Sequence, residues 1–349
     1  MPREPARTRK TARQTVLPDA RRKPRFAIGS VCTFARVPRI EELSPENAPP
    51  DWAIYGVPFD GGVTYRPGAR FGPRAIREES QYIKRYSIEH DVDVCEALSI
   101  ADAGDAAVSP FSCERSARVQ LDFARRIGDQ AVTRLLALGG DHSIAYANIR
   151  ATWERTGKPR SGLPLVHFDS HLDTVDTVWD EKWSHASVFR RAIEEGYVDA
   201  SRMISIGIKG PLNTRDDLAF ARDAGITVVT HERFRLEGQR LVRSFLRRIG
   251  RRPAYVSFDI DCIDPAFAPG TGTPVCGGFS SAEAIAIVRS LRGLNVVGAD
   301  VVEVLPDRDV SGITALLASH IAMEVLALAA VRASVSTSAR SRNSRRISR

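Results

Sequence analysis

Leu163-Pro164-Leu165-Val166-His167-Phe168-Asp169-Ser170-His171-Leu172-Asp173 begins as an apolar run and ends in acids and imidazoles. Its first six residues are mostly apolar at both parities, the pattern of a strand covered on two faces. Seven further runs read the same way: 53–57, 98–102, 134–138, 203–208, 226–230, 254–258 and 296–301. Helical spacing fills the intervals. Over 116–132, Val119, Leu121, Phe123, Ala124, Ile127 and Val132 gather broadly on one side. Over 280–291, Ser280 stands three residues before Glu283, a capping box. The span 311–331 is a long apolar helix, packed on both sides. Alternating strand and helix predicts one parallel-sheet α/β domain over 26–331, with no internal repeat and no dividing linker.

Charge places this body between two unlike ends. The net charge is +8. Residues 1–25 hold nine Lys/Arg against Glu4 and Asp19, and 332–349 hold six Arg and no acid, which leaves 26–331 at −5. The ends, 1–25 and 332–349, read as disordered tails, because such segments bury too little apolar surface to order themselves. The Arg-rich start also fits a transit peptide, with a solvated tail the preferred reading. The acidic body argues against a specific nucleic-acid groove. No run is expected to reach the roughly 18 apolar residues of a membrane span. The five cysteines (Cys32, Cys95, Cys113, Cys262, Cys276) are scattered without zinc spacing and read as reduced thiols, which predicts a cytoplasmic protein.

Three strands end in metal-ligand residue types, where open α/β sheets bind ligands. Leu135 to Ser143 runs through Gly139-Gly140, read as a sharp turn, to His142. Alone, His142 reads as structural. After Phe168, strand alternation would point Asp169, His171 and Asp173 one way as a claw. After Phe258, Asp259 and Asp261 would share a face, and two buried carboxylates repel unless a cation lies between them. Two His and four Asp suit two divalent first-row cations that share carboxylates, as in a two-metal hydrolase.

Gly139-Gly140-Asp141-His142-Ser143, the 169–173 claw and the run from Ser257 through Asp259-Ile260-Asp261 to Gly270-Thr271-Gly272-Thr273-Pro274 closely resemble the arginase/agmatinase (ureohydrolase) family. Gly56-Val57-Pro58-Phe59-Asp60, Arg66-Pro67-Gly68-Ala69-Arg70 and Val302-Glu303-Val304 resemble its agmatinase-like branch. The resemblance covers about 50–331. It implies a three-layer α/β/α fold with a mostly parallel sheet, as in arginases and deacetylases, and a pair of metal ions, Mn2+ or alternatively Ni2+. One ion would take His142, Asp169, Asp173 and Asp259. The other would take His171, Asp169, Asp259 and Asp261. His185 matches the family's proton shuttle and Glu303 the acid that binds guanidinium; Asp173 joins them among the catalytic residues. The resemblance also implies a homo-oligomer, trimer or hexamer, that releases urea and an amine from a guanidino compound. A resonance-stabilised cation is a poor electrophile, so hydroxide supplied by metals at neutral pH suits that reaction.

Other residues carry plainer readings. His167 is read as a packed strand residue turned away from the claw. His90, His231 and His320 are read as structural. Trp179 and Trp183 either wall the pocket or pack a subunit contact. Three positions depart from the branch pattern. Ser170 replaces Ala and is expected to point away from the metals with little effect. Ala186 replaces Gly after His185. Leu305-Pro306-Asp307-Arg308-Asp309 is unusually charged. Agmatine is the nominal substrate. Arg66, Lys209 or Arg308 could instead favour a guanidino acid such as guanidinobutyrate or guanidinopropionate, and aromatic walls could favour guanidine or a substituted guanidine. A silent structural subunit is the remote alternative.

Overall fold

The structure is a computed structural model that describes residues 31–347 apart from Pro45, with side chains as far as Val335. The basic segment 1–25 lies outside the described residues. Ten strands run in chain order: β1 Trp52–Val57, β2 Tyr86–Ser87, β3 Val92–Asp93, β4 Ile100–Asp105, β5 Arg134–Gly139, β6 Leu163–Phe168, β7 Val198–Ile208, β8 Thr227–Thr230, β9 Pro253–Asp259 and β10 Asn295–Val302. Eight form one parallel sheet in the order β4-β1-β5-β10-β9-β6-β7-β8. Each run expected to be a strand is in it. The β2–β3 hairpin was not expected, because two-residue strands show no period.

Alternate residues on each strand serve two cores. Leu136, Leu138, Val166, Phe168, Val256 and Phe258 face one core; Leu135, Ala137, Leu163, Leu165 and Tyr255 face the other. Nine helices cover the two faces among the described residues: α1 Gly72–Glu79, α2 Val94–Ala97, α3 Cys113–Arg126, α4 Ala145–Arg155, α5 Val188–Glu194, α6 Ala219–Asp223, α7 His231–Ile249, α8 Ser281–Ser290 and α9 Ile313–Ile347. The result is the three-layer α/β/α arrangement. Helix α8 opens with the Ser280–Glu283 capping box. Helix α3 stops before Val132, because Gly128 takes φ +55 just beyond it, a conformation glycine adopts freely.

Two expectations are corrected at the C-terminal end. Helix α9 runs on to Ile347, through the segment read as a tail from 332. Residues 310–335 are also long and apolar enough to cross a bilayer, yet 78% of the most apolar window is buried in the domain, so this is a core helix. Its apolar side chains, such as Ile321, Val325 and Leu328, are absorbed by the core that also takes β10 and α8.

Chain order makes the site. After β5 the chain leaves to build β6, β7 and β8, and the gap between β5 and β6 is filled last by β10 and β9. The carboxyl ends of these four adjacent strands open on one crevice, where α/β sheets bind ligands.

Candidate metal centre

Close packing carries His142 into the crevice. A Cβ on Gly139 would lie 2.6 Å from Val302 Cγ1, and one on Gly140 would lie 2.5 Å from the Val57 and Phe59 carbonyl oxygens. Neither glycine has positive φ, so the pair permits close approach rather than the sharp turn expected of it.

His142 is fully buried. Its Nδ1 lies 3.1 Å from Asp169 Oδ2, 2.9 Å from Asp173 Oδ2 and 3.2 Å from Asp259 Oδ2, yet makes no hydrogen bond. Its Nε2 lies 2.8 Å from Ser257 Oγ. Ser257 donates its only proton to Asp300 Oδ1 at 2.6 Å, and Asp300 Oδ2 accepts from Tyr255 at 2.5 Å. Nε2 must therefore be the protonated nitrogen, and Nδ1 turns a lone pair toward three carboxylates. Burial works against a second proton there, but the close carboxylates of Asp169, Asp173 and Asp259 hold His142 well above the ordinary imidazole range. A proton can serve one carboxylate, whereas a divalent cation serves all three, so the donor set fits a metal.

Among the described residues three groups of donor atoms close to within 4.8 Å; one joins His142, His167 and Asp169, and the two that gather the expected ligands are His142, Asp169, Asp173 and Asp259, and Asp169, His171 and Asp261. His171 Nδ1 lies 3.0 Å from Asp261 Oδ2 and 3.4 Å from Asp169 Oδ1. Asp169 belongs to both groups, as a bridging ligand would. Asp259 belongs only to the first; its Oδ1 accepts the Asp261 N–H at 2.8 Å. Burial, with the charges of Asp261 and Asp169, holds the Asp259 carboxyl well above its usual range. Burial opposes the charged form of His171, but Asp261 and Asp169 push it up to about 12.

Alternation does not build the claw. Strand β6 ends at Phe168, the chain bends over 170–171, and Asp173 takes φ +50. Asp259 ends β9 and Asp261 lies in a 3-10 turn. His167 is also corrected. It shares the parity of Asp169, and its Nε2 lies 2.8 Å from Asp169 Oδ2, with Nδ1 3.1 Å from Ser205 Oγ. Ser170, expected to point harmlessly away, touches Asp261 through its N–H (3.0 Å to Oδ1) and its hydroxyl (2.7 Å to the carbonyl).

Glu303 follows β10 at φ +66, a left-handed conformation that costs a side chain about 1–3 kcal/mol. Its Oε1 accepts the His142 N–H at 2.8 Å and faces His185 Nδ1 at 2.9 Å. Its Oε2 is buried and partnerless among the described residues. His185 is held by its own N–H to the Gly62 carbonyl (3.0 Å) and by Thr64, whose N–H and hydroxyl lie 3.1 and 2.8 Å from Nε2. Burial opposes its charged form, but Glu303, Asp173 and Asp141 push His185 up to about 9. Asp141, pushed up to about 7 by burial and by Glu303, accepts the Gly62 N–H at 2.7 Å and fixes that loop.

Sequence reasoning passed over Ser257, Asp300, Thr64 and Asp141. Asp300 offered a signal, as a lone acid inside an apolar strand that must find partners. Candidate specificity residues separate clearly. Trp183 packs edge-on against Tyr146 at 4.8 Å between ring centroids, while Trp179 is 78% exposed. Arg308 lies 3.9 Å from Asp307 at the surface, and Asp309 caps α9 through the N–H groups of Thr314 (2.8 Å) and Ala315 (2.9 Å).

Comparison with known proteins agrees with this geometry. The arginase family model matches residues 50–328. Guanidinopropionase from Pseudomonas aeruginosa is 43% identical over 314 residues, covering 89% of this chain and 95% of that protein. Mitochondrial agmatinase from Gallus gallus is 40% identical over 301 residues, covering 85% of each. The solved structure of proclavaminate amidino hydrolase from Streptomyces clavuligerus superposes with a TM-score of 0.80 at 38% identity, covering 88% of this chain and 99% of that one. Fold, ligand groups and sequence point the same way, and the chain belongs to the arginase family.

Proposed function

We propose that this protein is a binuclear-metal amidinohydrolase that cleaves a guanidino C–N bond to give urea and an amine. Members of the family carry a binuclear divalent metal centre, and His142, Asp169, His171, Asp173, Asp259 and Asp261 would hold it here. What the pair supplies when bound is hydroxide at neutral pH. The observation that carries the substrate class is the Glu303 Oε2, buried and without a partner among the described residues, on a carboxylate whose other oxygen meets His142 and His185. An unmet buried acceptor costs about 1–3 kcal/mol. A planar guanidinium relieves it with charge-assisted hydrogen bonds.

The chain's own residues do the rest. Glu303 orients the guanidinium, and its Oε1 is already fixed by His142 and His185. His185 keeps a proton for the departing amine. With a proton on Nε2 the ring donates to Thr64 Oγ1; without it, Nε2 accepts the Thr64 N–H. The ring thus has a partner in both states, which suits a group that gives and regains a proton.

For the substrate tail we rank a guanidino acid above the nominal agmatine. Arg66 makes no ion pair among the described residues; its guanidinium lies over the Tyr65 ring at 4.8 Å, and its backbone carbonyl and Glu303 Oε2 lie 3.1 and 3.5 Å from a Cβ built on Gly272. Its guanidinium suits a carboxylate tail. Guanidinopropionase at 43% identity supports the same ranking. We assign Mn2+ over Ni2+, a trimer or hexamer as the assembly, and the cytoplasm as the location. Urea release from guanidinopropionate, guanidinobutyrate, agmatine and guanidine after manganese loading tests the reading. Turnover of an acid above agmatine is expected; no urea from any of them overturns it.

A further inference from the structure

Lys209 follows β7 and was weighed above as an anchor for a substrate carboxylate. Its ammonium is instead directed beneath Asp261. Lys209 Nζ donates to the Asp261 carbonyl at 2.8 Å and to Ser170 Oγ. The Ser170 hydroxyl donates to the same carbonyl at 2.7 Å, and the Ser170 N–H to Asp261 Oδ1 at 3.0 Å. The Lys209 N–H donates to the Ser170 carbonyl at 3.1 Å, which ties the ends of β6 and β7 to the turn after β9. Four donors from two residues therefore converge on Ser170 and Asp261.

The two ligand groups need such help unequally. His142, in the inner group, is fully buried, and its ring is fixed through Ser257 and Asp300. His171, in the outer group, has a side chain 38% exposed. Its partner Asp261 sits in a 3-10 turn rather than on a strand. The inner group thus has its histidine fixed from behind by Ser257 on β9 and Asp300 on β10, whereas the outer group relies on a turn whose carbonyl is pinned by a serine and a lysine.

We propose that Ser170 and Lys209 form a clamp that positions Asp261 and so governs occupancy of the outer metal position, independently of the inner one. The inference rests on the two-metal reading of this site. Partners behind a metal ligand commonly change affinity by about 10–100-fold, and a loss of that size would fall on one of two ions only.

The experiment titrates Mn2+ into metal-free wild-type, K209M, K209R and S170A proteins. Bound metal per chain is measured, and electron paramagnetic resonance distinguishes a coupled pair from a lone ion. Wild type is expected to bind two ions and give the coupled signal. K209M should bind the first ion normally and the second about 10–100-fold more weakly, with a lone-ion signal at limiting metal. K209R should recover much of the second affinity. S170A should shift it the same way by less, and decides the matter should K209M fail to fold. Two ions at wild-type affinity in both K209M and S170A overturn the clamp. So does a K209M defect confined to KM for a guanidino acid with metal binding unchanged, since that marks a substrate anchor. Wild-type protein that binds no divalent ion would instead refute the metal reading itself.

Discussion

Arg77 and His142 sit in two buried ionic clusters of the same sheet that are resolved in opposite ways. Arg77, on α1, meets Asp102 at 2.8 and 3.0 Å, Asp105 at 2.6 Å and the Gly104 carbonyl at 3.0 Å. Asp102 also accepts the Phe34 N–H at 2.8 Å. Each charge there has a protein partner of opposite sign, and the cluster closes on itself. At the ends of β5, β6, β9 and β10, Asp141, Asp169, Asp173, Asp259, Asp261 and Glu303 are all buried, and the Lys209 ammonium is held by Ser170 and the Asp261 carbonyl rather than by any of these carboxylates. The difference teaches where to look for chemistry. Evolution can neutralise a buried carboxylate with an arginine, and a cluster left short of cations is one that receives them from outside.

The contrast can be broken most sharply at Asp259. Asp259→Ala should abolish urea release and lower bound metal in parallel, with the melting profile showing a folded protein. Full activity in a metal-free variant would end the comparison. The next largest effect is expected at His185. His185→Asn should lower turnover by about 10²–10⁴-fold while metal per chain stays at the wild-type value. Because His185 is pushed up to about 9, wild-type turnover should fall as pH rises through that region, where the ring loses its proton. The variant should lack that alkaline limb.

Arg77→Leu should act on the other cluster alone. Stranding Asp102 should destabilise the fold by about 3–5 kcal/mol, read by chemical denaturation, with metal per folded chain unchanged. Metal loss in that variant would show the clusters to be coupled. The smallest expected effect is at Ser257. Ser257→Ala should weaken metal binding by about 10–100-fold and cost about 1–3 kcal/mol of stability, since His142 Nε2 and Asp300 Oδ1 each lose a buried partner while Asp300 keeps Tyr255.

Much of this was legible in the sequence because strands buried on two faces write continuous apolar runs, and because ligand residues follow them directly. What was not legible is what depends on departures from regular structure. Asp173 and Glu303 take left-handed backbone, and the turn at 260–262 brings Asp261 to His171, none of which follows from period two. The expectation that Ser170 points away fails for that reason. Lys209 was read as a charge available to a ligand and Asp309 as part of an unusually charged stretch; one is bound beneath Asp261 and the other caps α9, partners some fifty and five residues distant in sequence respectively. His167 was within reach of parity alone, since it stands two residues before Asp169.

The central claim is that surplus buried carboxylate holds two cations on which hydrolysis depends. It is tested most directly by stripping the protein with chelator, restoring Mn2+ stepwise, and measuring bound metal per chain beside urea released from guanidinopropionate. The account predicts saturation at two ions, with urea release following occupancy of the second. Urea release from stripped protein at the full rate, or no metal bound at any Mn2+ concentration, would contradict it.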